Sequence, residues 1–324
     1  MIGVAKIISQ TSQTHPDLTR LHPLRALLSY LGAIFLGGAL LAPWIYWLMQ
    51  RAGEHLHVLH RLANEPFHRY LTRTFLLIAI AGLWPFARAI GAKSWSDVGL
   101  AKPVGHWPKL VGGLLVGFGS LAVIAALTIY AGVRQLDTGQ TAGALARHLF
   151  NASVAAIVVA ILEEIVFRGA LFGALRKVYP WTTALVVSSA IYALVHFFER
   201  PEPLARVNWT SGLTLLPKMA GGFFDAKTVV PGFFNLTLAG IILGLAYQRL
   251  NHLYFSIGLH AGWIFWLKSY GFLTDPGSGA NQWLWGTRKL IDGWLAFAVL
   301  IVIWLVVLRL FPPRNIHSVR RDGA

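Results

Sequence analysis

The chain has 324 residues, of which 56% are hydrophobic and 13% are charged. Thirteen tryptophans and a mean hydropathy of +0.58 are typical of a polytopic membrane protein. The net charge of +15 does not indicate a nucleic-acid partner, because the basic residues lie mostly between apolar stretches, where they face lipid headgroups. Cysteine is absent, which excludes disulfides, thiolate nucleophiles and cysteine-ligated zinc.

The first part of the chain is predicted to hold a polar N-terminal tail, residues 1–24, and then the N-terminal membrane helices with interfacial segments, residues 25–146. The first apolar stretch is long enough to span a bilayer, so we expect a retained anchor rather than a cleaved signal peptide. Three spans are predicted here, at about residues 25–49, 71–91 and 110–133.

Four histidines lie among leucines between the first two spans, in residues 50–70: His55, His57, His60 and His68. A metal site is one interpretation of this segment. An interfacial amphipathic helix is favoured, because neither a carboxylate cluster nor tight ligand spacing accompanies the histidines.

A core segment is predicted at residues 147–270, followed at 271–324 by the last span and a basic C-terminal tail. The connection at 199–230 is interpreted as partly interfacial, with gating of substrate access as a hypothesis. Pairs of glycines predict close helix packing at Gly113/Gly117, Gly169/Gly173 and Gly240/Gly244. The remaining spans are expected at about 147–175, 181–198, 231–250, 253–270 and 291–311. The sequence therefore predicts an all-α bundle of about eight transmembrane helices.

Three ionisable side chains interrupt the apolar run of the fourth span: Glu163, Glu164 and Arg168. Each charge at the centre of a membrane helix costs roughly 2.5–3.5 kcal/mol on insertion scales, so each is expected to have a partner or a task. Glu164 and Arg168 are four residues apart and share a helix face, so they are predicted to pair. Glu163 points about 100° away and is left free for chemistry.

Two histidines, His196 in the fifth span and His260 in the seventh, are the other ionisable residues expected within the membrane. The sequence contains no His-Glu-x-x-His zinc helix, no Gly-x-Ser-Gly nucleophile and no pair of membrane aspartates. What remains for hydrolysis is a carboxylate and imidazoles acting on water, with Glu163 as general base. A proton-relay transporter accounts for the same charges, but the chain lacks the repeats or broken helices of many transporters.

The order and spacing of these residues resemble the three motifs of the CPBP, or Abi, family. The first is Glu-Glu-x-x-x-Arg beginning at Glu163, the second is aromatic-x-x-x-His ending at His196, and the third is His260 in a later span. The family comprises CAAX-type prenyl endopeptidases and bacteriocin-processing intramembrane proteases. The similar region runs from about residue 152 to 267.

The resemblance implies a glutamate-type hydrolase and a role for each motif residue. Glu163 and His196 would position and activate the attacking water. Glu164 would pair with Arg168, and His260 would help to stabilise the oxyanion of the tetrahedral intermediate. No cofactor is expected; a divalent metal such as zinc, held by the two histidines and a glutamate, is the alternative.

Two positions depart from the usual motifs of the family. Tyr192 stands where phenylalanine is usual, and Ile264 stands four residues after His260, where asparagine is usual. That asparagine would share the oxyanion role, so Asn235 or a backbone amide is the candidate to replace it. The departure at Ile264 favours an alternative function, a non-proteolytic membrane scaffold or immunity-type protein of the same fold.

The main hypothesis is therefore an intramembrane endopeptidase, integral to the plasma membrane if the chain is bacterial. Its expected partners are the lipid bilayer and a peptide or membrane-protein tail as substrate, with no nucleic acid. Substrate identity, membrane orientation and oligomeric state stay open at this point.

Overall fold

The structure is a computed structural model that describes residues 18–199, 203–204, 206–277 and 281–313, the side chains of residues 18–22 excepted. Most of the predicted N-terminal tail and the whole of the basic C-terminal tail, residues 314–324, lie outside these residues. The first helix begins at Leu18, before the predicted end of the polar tail.

From residue 18 onward, the described part of the N-terminal half forms the helices α1 Leu18–Gly32, α2 Gly38–His55, α3 His60–Ala63, α4 Phe67–Ala89 and α5 Trp107–Tyr130. A π-helical turn, Ala33–Gly37, joins α1 to α2 without a break, so that Pro23–His55 forms one long apolar stretch. Short 3₁₀ turns lie at His57–Leu59 and Trp95–Val98.

The residues described in the C-terminal half form the helices α6 Ala142–Glu164, α7 Gly173–Leu175, α8 Trp181–Val195, α9 Ser211–Met219, α10 Ala226–Leu250, α11 Tyr254–Leu273, α12 Gln282–Trp285 and α13 Trp294–Leu310. A π-helical segment, Ile165–Phe172, connects α6 to α7. A 3₁₀ turn, Ala220–Phe224, separates α9 from α10.

Every predicted span coincides with an apolar helix, which confirms the all-α membrane fold. Among the described residues, five stretches are long and apolar enough to cross a membrane: Pro23–His55, Phe67–Ala89, Trp107–Tyr130, Ala142–Leu175 and Ala226–Leu250. Helices α8 and α13 are shorter apolar helices, and α11 is a largely buried helix of 20 residues. Eight complete crossings therefore remain a prediction.

The histidine-rich connection at 50–70 is not the single amphipathic helix that the sequence predicts. Helix α2 continues to His55, and a 3₁₀ turn and the four-residue α3 follow it. Pro66 then stands at the N-terminal cap of α4. A proline lacks a backbone N–H and disfavours helical geometry in the residue before it, so Pro66 favours the break directly before α4.

Two other connections contain structure that the sequence did not predict. The linker after α5 forms strand β1, Arg134–Leu136, which pairs antiparallel with β2, Thr274–Pro276, directly after α11. The long connection at 199–230 includes α9, whose Gly212 lies against the backbone of Ala39 in α2. This connection is thus tied to the N-terminal helices.

Helices α5 and α11 approach backbone to backbone. A Cβ placed on Gly117 would lie 2.1 Å from the carbonyl oxygen of Leu259, and Gly113 is equally close to α11. Gly258 and Gly262 of α11 face the backbone of α5 in turn. Small residues of this kind allow close helix packing in membranes, as the sequence predicted.

The other predicted glycine pairs differ from one another. Gly240 and Gly244 on α10 lie against α8, which confirms the prediction for this pair. Gly169 lies against the backbone of Val98 in a connecting turn, whereas a Cβ on Gly173 would meet nothing nearer than 4.0 Å. The prediction was therefore wrong for Gly173, because its face of the helix is not at an interface.

Buried side-chain hydrogen bonds fix the register between α5 and α11. Trp263 Nε1 donates to Ser120 Oγ at 2.9 Å, and Tyr270 donates its hydroxyl to Thr128 Oγ1 at 2.8 Å. Polar side chains in apolar surroundings need such partners, so each bond favours one relative placement of the helices. This placement sets the depth of His260, which lies on α11 three residues before Trp263.

Candidate active site

The two predicted glutamates end α6 at the point where the helix widens into the π-helical segment Ile165–Phe172. Glu163 and Glu164 are the last residues of α6, and Arg168 lies within the π-helical segment. π-helical turns are rare and occur frequently at functional sites. The change in helical repeat sets the directions in which these three side chains point.

Glu164 and Arg168 form the ion pair that their spacing predicts. Arg168 Nη1 donates to Glu164 Oε1 at 2.9 Å, and the two side chains are 3% and 0% exposed. The Arg168 guanidinium also lies over the ring of Tyr192, 4.3 Å from its centroid. Arginine is suited to such a buried site because it binds a carboxylate and an aromatic face together.

His260 contacts the same carboxylate, which the sequence did not predict. His260 Nδ1 lies 2.8 Å from Glu164 Oε1, and the histidine is 3% exposed. Because an ionised carboxylate only accepts hydrogen bonds, Nδ1 carries a proton and donates it to Glu164. Glu164 therefore has two functions: it neutralises Arg168, and it fixes the ring orientation of His260.

Glu163 points away from this pair, as predicted, and faces both histidines. Its Oε2 lies 3.6 Å from Nε2 of His196 and 3.7 Å from Nε2 of His260. These distances exceed direct hydrogen bonds and are of the size that a bridging water spans. Oε2 is buried and has no hydrogen-bond partner among the described residues.

His196 stands immediately after α8, at its C-terminal cap. Its Nδ1 lies 2.7 Å from the carbonyl oxygen of Tyr192, one turn earlier. A carbonyl oxygen can only accept, so Nδ1 carries the proton in this contact. In their neutral forms both histidines therefore present an unprotonated Nε2 to the same oxygen of Glu163.

The site faces a cavity of about 70 Å³ lined by Glu163, Tyr192, His196, Asn235 and His260 together with apolar side chains. That volume is sufficient for water to enter. Four residues, His196, Leu236, Leu267 and Ile291, also line a larger cavity of about 390 Å³. The larger cavity therefore adjoins the smaller one, and its size is in the range that binds small ligands.

The two departures from the family motifs, Tyr192 and Ile264, both lie at this cavity, and so does Asn235, the candidate replacement for the missing asparagine. Ile264 lines it and offers no polar group. Asn235 lines it as well, but its amide nitrogen donates to the carbonyl oxygens of Ile291 at 2.7 Å and Gly293 at 2.9 Å. Both of its N–H groups are thus committed. In this arrangement Asn235 cannot be the oxyanion donor that the sequence analysis suggested as a replacement for the missing asparagine.

A metal site is a separate question, since two histidines and a glutamate are a donor set found in catalytic zinc enzymes. Within the part of the chain that the structure describes, no group of three or more histidine, cysteine, aspartate or glutamate side chains is placed to hold an ion.

Comparison with known proteins addresses the resemblance directly. Residues 145–266 match the family model described as Rce1-like, type II CAAX prenyl endopeptidase. Over this core segment the chain is therefore similar to the CPBP, or CAAX protease, family. The matched range includes both glutamates and both histidines and agrees with the region that the motifs indicated. At the level of the family, the match supports a membrane protease of the CAAX type.

The match covers a little over a third of the chain. No curated protein sequence and no solved structure matches the chain. The CAAX protease family therefore describes the core segment, while the N-terminal helices and the last span have no counterpart in these comparisons.

Proposed function

We propose that the chain is a membrane-embedded endopeptidase in which Glu163, assisted by His196, activates a water molecule for attack on a peptide bond. One observation carries the proposal: Oε2 of Glu163 lies 3.6 Å and 3.7 Å from the Nε2 atoms of two histidines whose Nδ1 protons are already committed. Nε2 of His260 can accept from the Tyr192 hydroxyl, 3.2 Å away, whereas Glu163 Oε2 and His196 Nε2 are two acceptors that face each other and need a proton donor between them. A water molecule can donate two hydrogens to such a group.

The reaction then follows from the positions of these atoms. Glu163 accepts one proton as the water oxygen bonds to the carbonyl carbon, and His196 Nε2 accepts the other hydrogen bond and orients the water. The carbonyl π electrons move to oxygen, giving a tetrahedral intermediate. When the C–N bond breaks, the proton held by Glu163 passes to the leaving amine, and the carboxylate is restored.

Glu164 and Arg168 support this chemistry without contacting the reacting water or the peptide bond. Their buried pair holds the end of α6, and Glu164 keeps the ring of His260 beside Glu163. His260 can donate from Nε2 to an oxyanion only as an imidazolium, because its Nδ1 proton is committed to Glu164. The oxyanion role implied for His260 by the CAAX proteases therefore depends on that protonation state.

The proposed substrate is a peptide or membrane-protein tail that reaches the site through the 390 Å³ cavity. The proposed setting is an integral membrane protein, in the plasma membrane if the source is bacterial. The reaction is proposed to need no metal, with zinc as the alternative that the experiment below distinguishes.

A non-proteolytic scaffold of the same fold is the second candidate. It is favoured by Ile264, which places an apolar side chain at the cavity where the CAAX proteases usually have asparagine. A scaffold would keep the buried pair for stability and have no need of a free glutamate. The retention of Glu163 beside two histidines supports the endopeptidase over this candidate.

The test measures cleavage of a pool of synthetic membrane-protein tail peptides by detergent-purified protein, with and without a strong chelator. Glu163→Gln removes the base and keeps the size of the side chain, so we expect no cleavage from a folded protein. Glu54→Gln, the same change at an exposed position, is the matched control. Wild-type cleavage that survives the chelator supports the proposal, and cleavage that the chelator abolishes supports a metal. A folded wild type that cleaves no peptide supports the scaffold.

A further inference from the structure

The cavity at Glu163 contains six side chains with polar atoms, and their hydrogen-bond donors can be traced one by one. Asn235 donates to two backbone carbonyls, and Trp263 donates its indole N–H to Ser120. Each neutral histidine has its single N–H committed, His196 to a carbonyl and His260 to Glu164. Ionised Glu163 has no proton to donate.

The remaining donor of that lining is the hydroxyl of Tyr192. Its oxygen lies 3.2 Å from His260 Nε2, and Nε2 accepts this hydrogen bond when His260 is neutral. The distance is long for an O–H donor, so the bond is weak and readily exchanged. If His260 is an imidazolium, Nε2 donates to the phenol oxygen instead, and the hydroxyl hydrogen is free. In both states the hydroxyl can turn toward a new acceptor.

From this geometry we propose that Tyr192 is a catalytic residue that donates a hydrogen bond to the oxyanion of the tetrahedral intermediate. The inference rests on the proposed endopeptidase function and adds a residue to its machinery. A tyrosine hydroxyl at this position supplies the donor that Ile264, one turn after His260, cannot supply.

Packing holds the Tyr192 ring in the orientation that this role requires. The side chain is 3% exposed, and the Arg168 guanidinium lies 4.3 Å from its centroid. The Phe167 ring makes an edge contact with a centroid distance of 5.1 Å, and the ring of His196, at the C-terminal cap of α8, lies 4.4 Å away. A donor fixed before the reaction stabilises developing charge without having to reorganise, and this is the basis of oxyanion stabilisation in enzymes.

The donor acts without an additional proton transfer. As the water oxygen bonds to the carbonyl carbon, the C=O π bond becomes a lone pair on oxygen, and the Tyr192 O–H shifts its hydrogen bond from His260 Nε2 to that oxygen. The water proton goes to Glu163, as before. On collapse the carbonyl reforms, the amine leaves with the proton of Glu163, and the Tyr192 hydroxyl returns to His260.

The test is Tyr192→Phe, which removes the hydroxyl and keeps the ring against Arg168. We expect kcat to fall about 10²–10³-fold, as for the loss of one oxyanion donor, with KM and the thermal unfolding midpoint nearly unchanged. Binding of a peptidyl phosphinate, which mimics the tetrahedral intermediate, should weaken by a similar factor, while binding of a ground-state peptide should not change. Tyr130→Phe, at a residue that is 92% exposed, is the matched control.

A double variant separates loss of the donor from a disturbed structure. Tyr192→Phe/Ile264→Asn places an amide on α11 at the same cavity and should recover at least tenfold of the lost kcat. Wild-type cleavage with kcat of Tyr192→Phe within about threefold of it would overturn the inference and leave the endopeptidase intact. Equal weakening of phosphinate and peptide binding would also overturn it, because that result indicates a structural role. A folded wild type that cleaves nothing would overturn the proposed function and the inference together.

Discussion

The buried pair between Glu164 and Arg168 provides a quantitative prediction about stability. Both side chains are almost inaccessible, at 0% and 3% exposure, and their N–O distance is 2.9 Å. Removing one partner of such a pair leaves an uncompensated buried charge and typically costs about 3–5 kcal/mol of folding free energy. We expect Glu164→Gln to have a cost of this size, which corresponds to a fall in the unfolding midpoint on the order of 10 °C.

The contact of Glu164 with His260 predicts which variants of the pair lose more stability. Its Oε1 accepts from both Arg168 and His260, so Glu164→Gln removes the charged partner of two donors at once. Arg168→Met leaves Glu164 bonded to His260 and should destabilise the protein less. The double variant Glu164→Gln/Arg168→Met should lose less folding free energy than the two single variants added together, because no unpaired charge remains and the two residues are in contact.

The assay is thermal unfolding of the detergent-purified variants, together with the folded yield from size-exclusion chromatography. Glu163→Gln is the matched control, since it is the same change at the neighbouring residue, whose side chain is 27% exposed and lies outside the Arg168 pair. It should keep the wild-type midpoint while losing activity. Equal midpoints for Glu163→Gln and Glu164→Gln would refute the division between a catalytic and a structural glutamate.

Two further predictions concern packing and pH. Gly117→Ala should destabilise the protein by about 1–3 kcal/mol because its Cβ would meet the Leu259 carbonyl, while Gly119→Ala, which meets no atom within 4 Å, should have little effect on the unfolding midpoint. An equal effect of both would contradict the close packing of α5 on α11. Burial, and then nearby basic groups, lowers the pKa of His252 between α10 and α11 to about 4. Because an unfolded histidine titrates near pH 6.5, the unfolded state binds more protons between pH 6.5 and 4, so stability should fall as the pH drops through that window. His252→Gln should flatten this fall in the unfolding midpoint, and an unchanged slope would show that other groups cause it.

The sequence predicted the spans well because a bilayer constrains length and hydropathy more strongly than packing does. The departures from regular α-helix, a π-helical segment and a short strand pair, could not be predicted in the same way. The π-helical segment Ile165–Phe172 continues an apolar run without a proline, and nothing in its composition distinguishes it from an α-helix. The short ladder between Arg134–Leu136 and Thr274–Pro276 joins segments far apart in sequence, so no local pattern indicates it.

In the candidate site, too, contacts within one helix could be predicted from the sequence, whereas contacts between helices could not. The Glu164–Arg168 pair follows from i, i+4 spacing on one helix and was predicted. The bond from His260 to Glu164 was not, because it depends on the depth and rotation of α11 relative to α6. The hydroxyl of Tyr192 had one signal in the sequence, a tyrosine where phenylalanine is usual. Its meaning required the 3.2 Å contact with His260.

Exposure to the cavity is the reason that we propose opposite roles for two adjacent glutamates. Glu164, Arg168 and His260 are at most 4% exposed as side chains, whereas Glu163 and His196 are 27% and 31% exposed. A carboxylate without access to water must be permanently paired, since an unpaired buried charge is costly. A carboxylate that activates water must reach the cavity and be free to gain and lose a proton. The buried residues Glu164, Arg168 and His260 therefore cannot supply the general base. The partly exposed Glu163 and His196 cannot by themselves hold their side chains in position. Each depends on the other through the ring of His260, which donates to Glu164 on one side and faces Glu163 on the other.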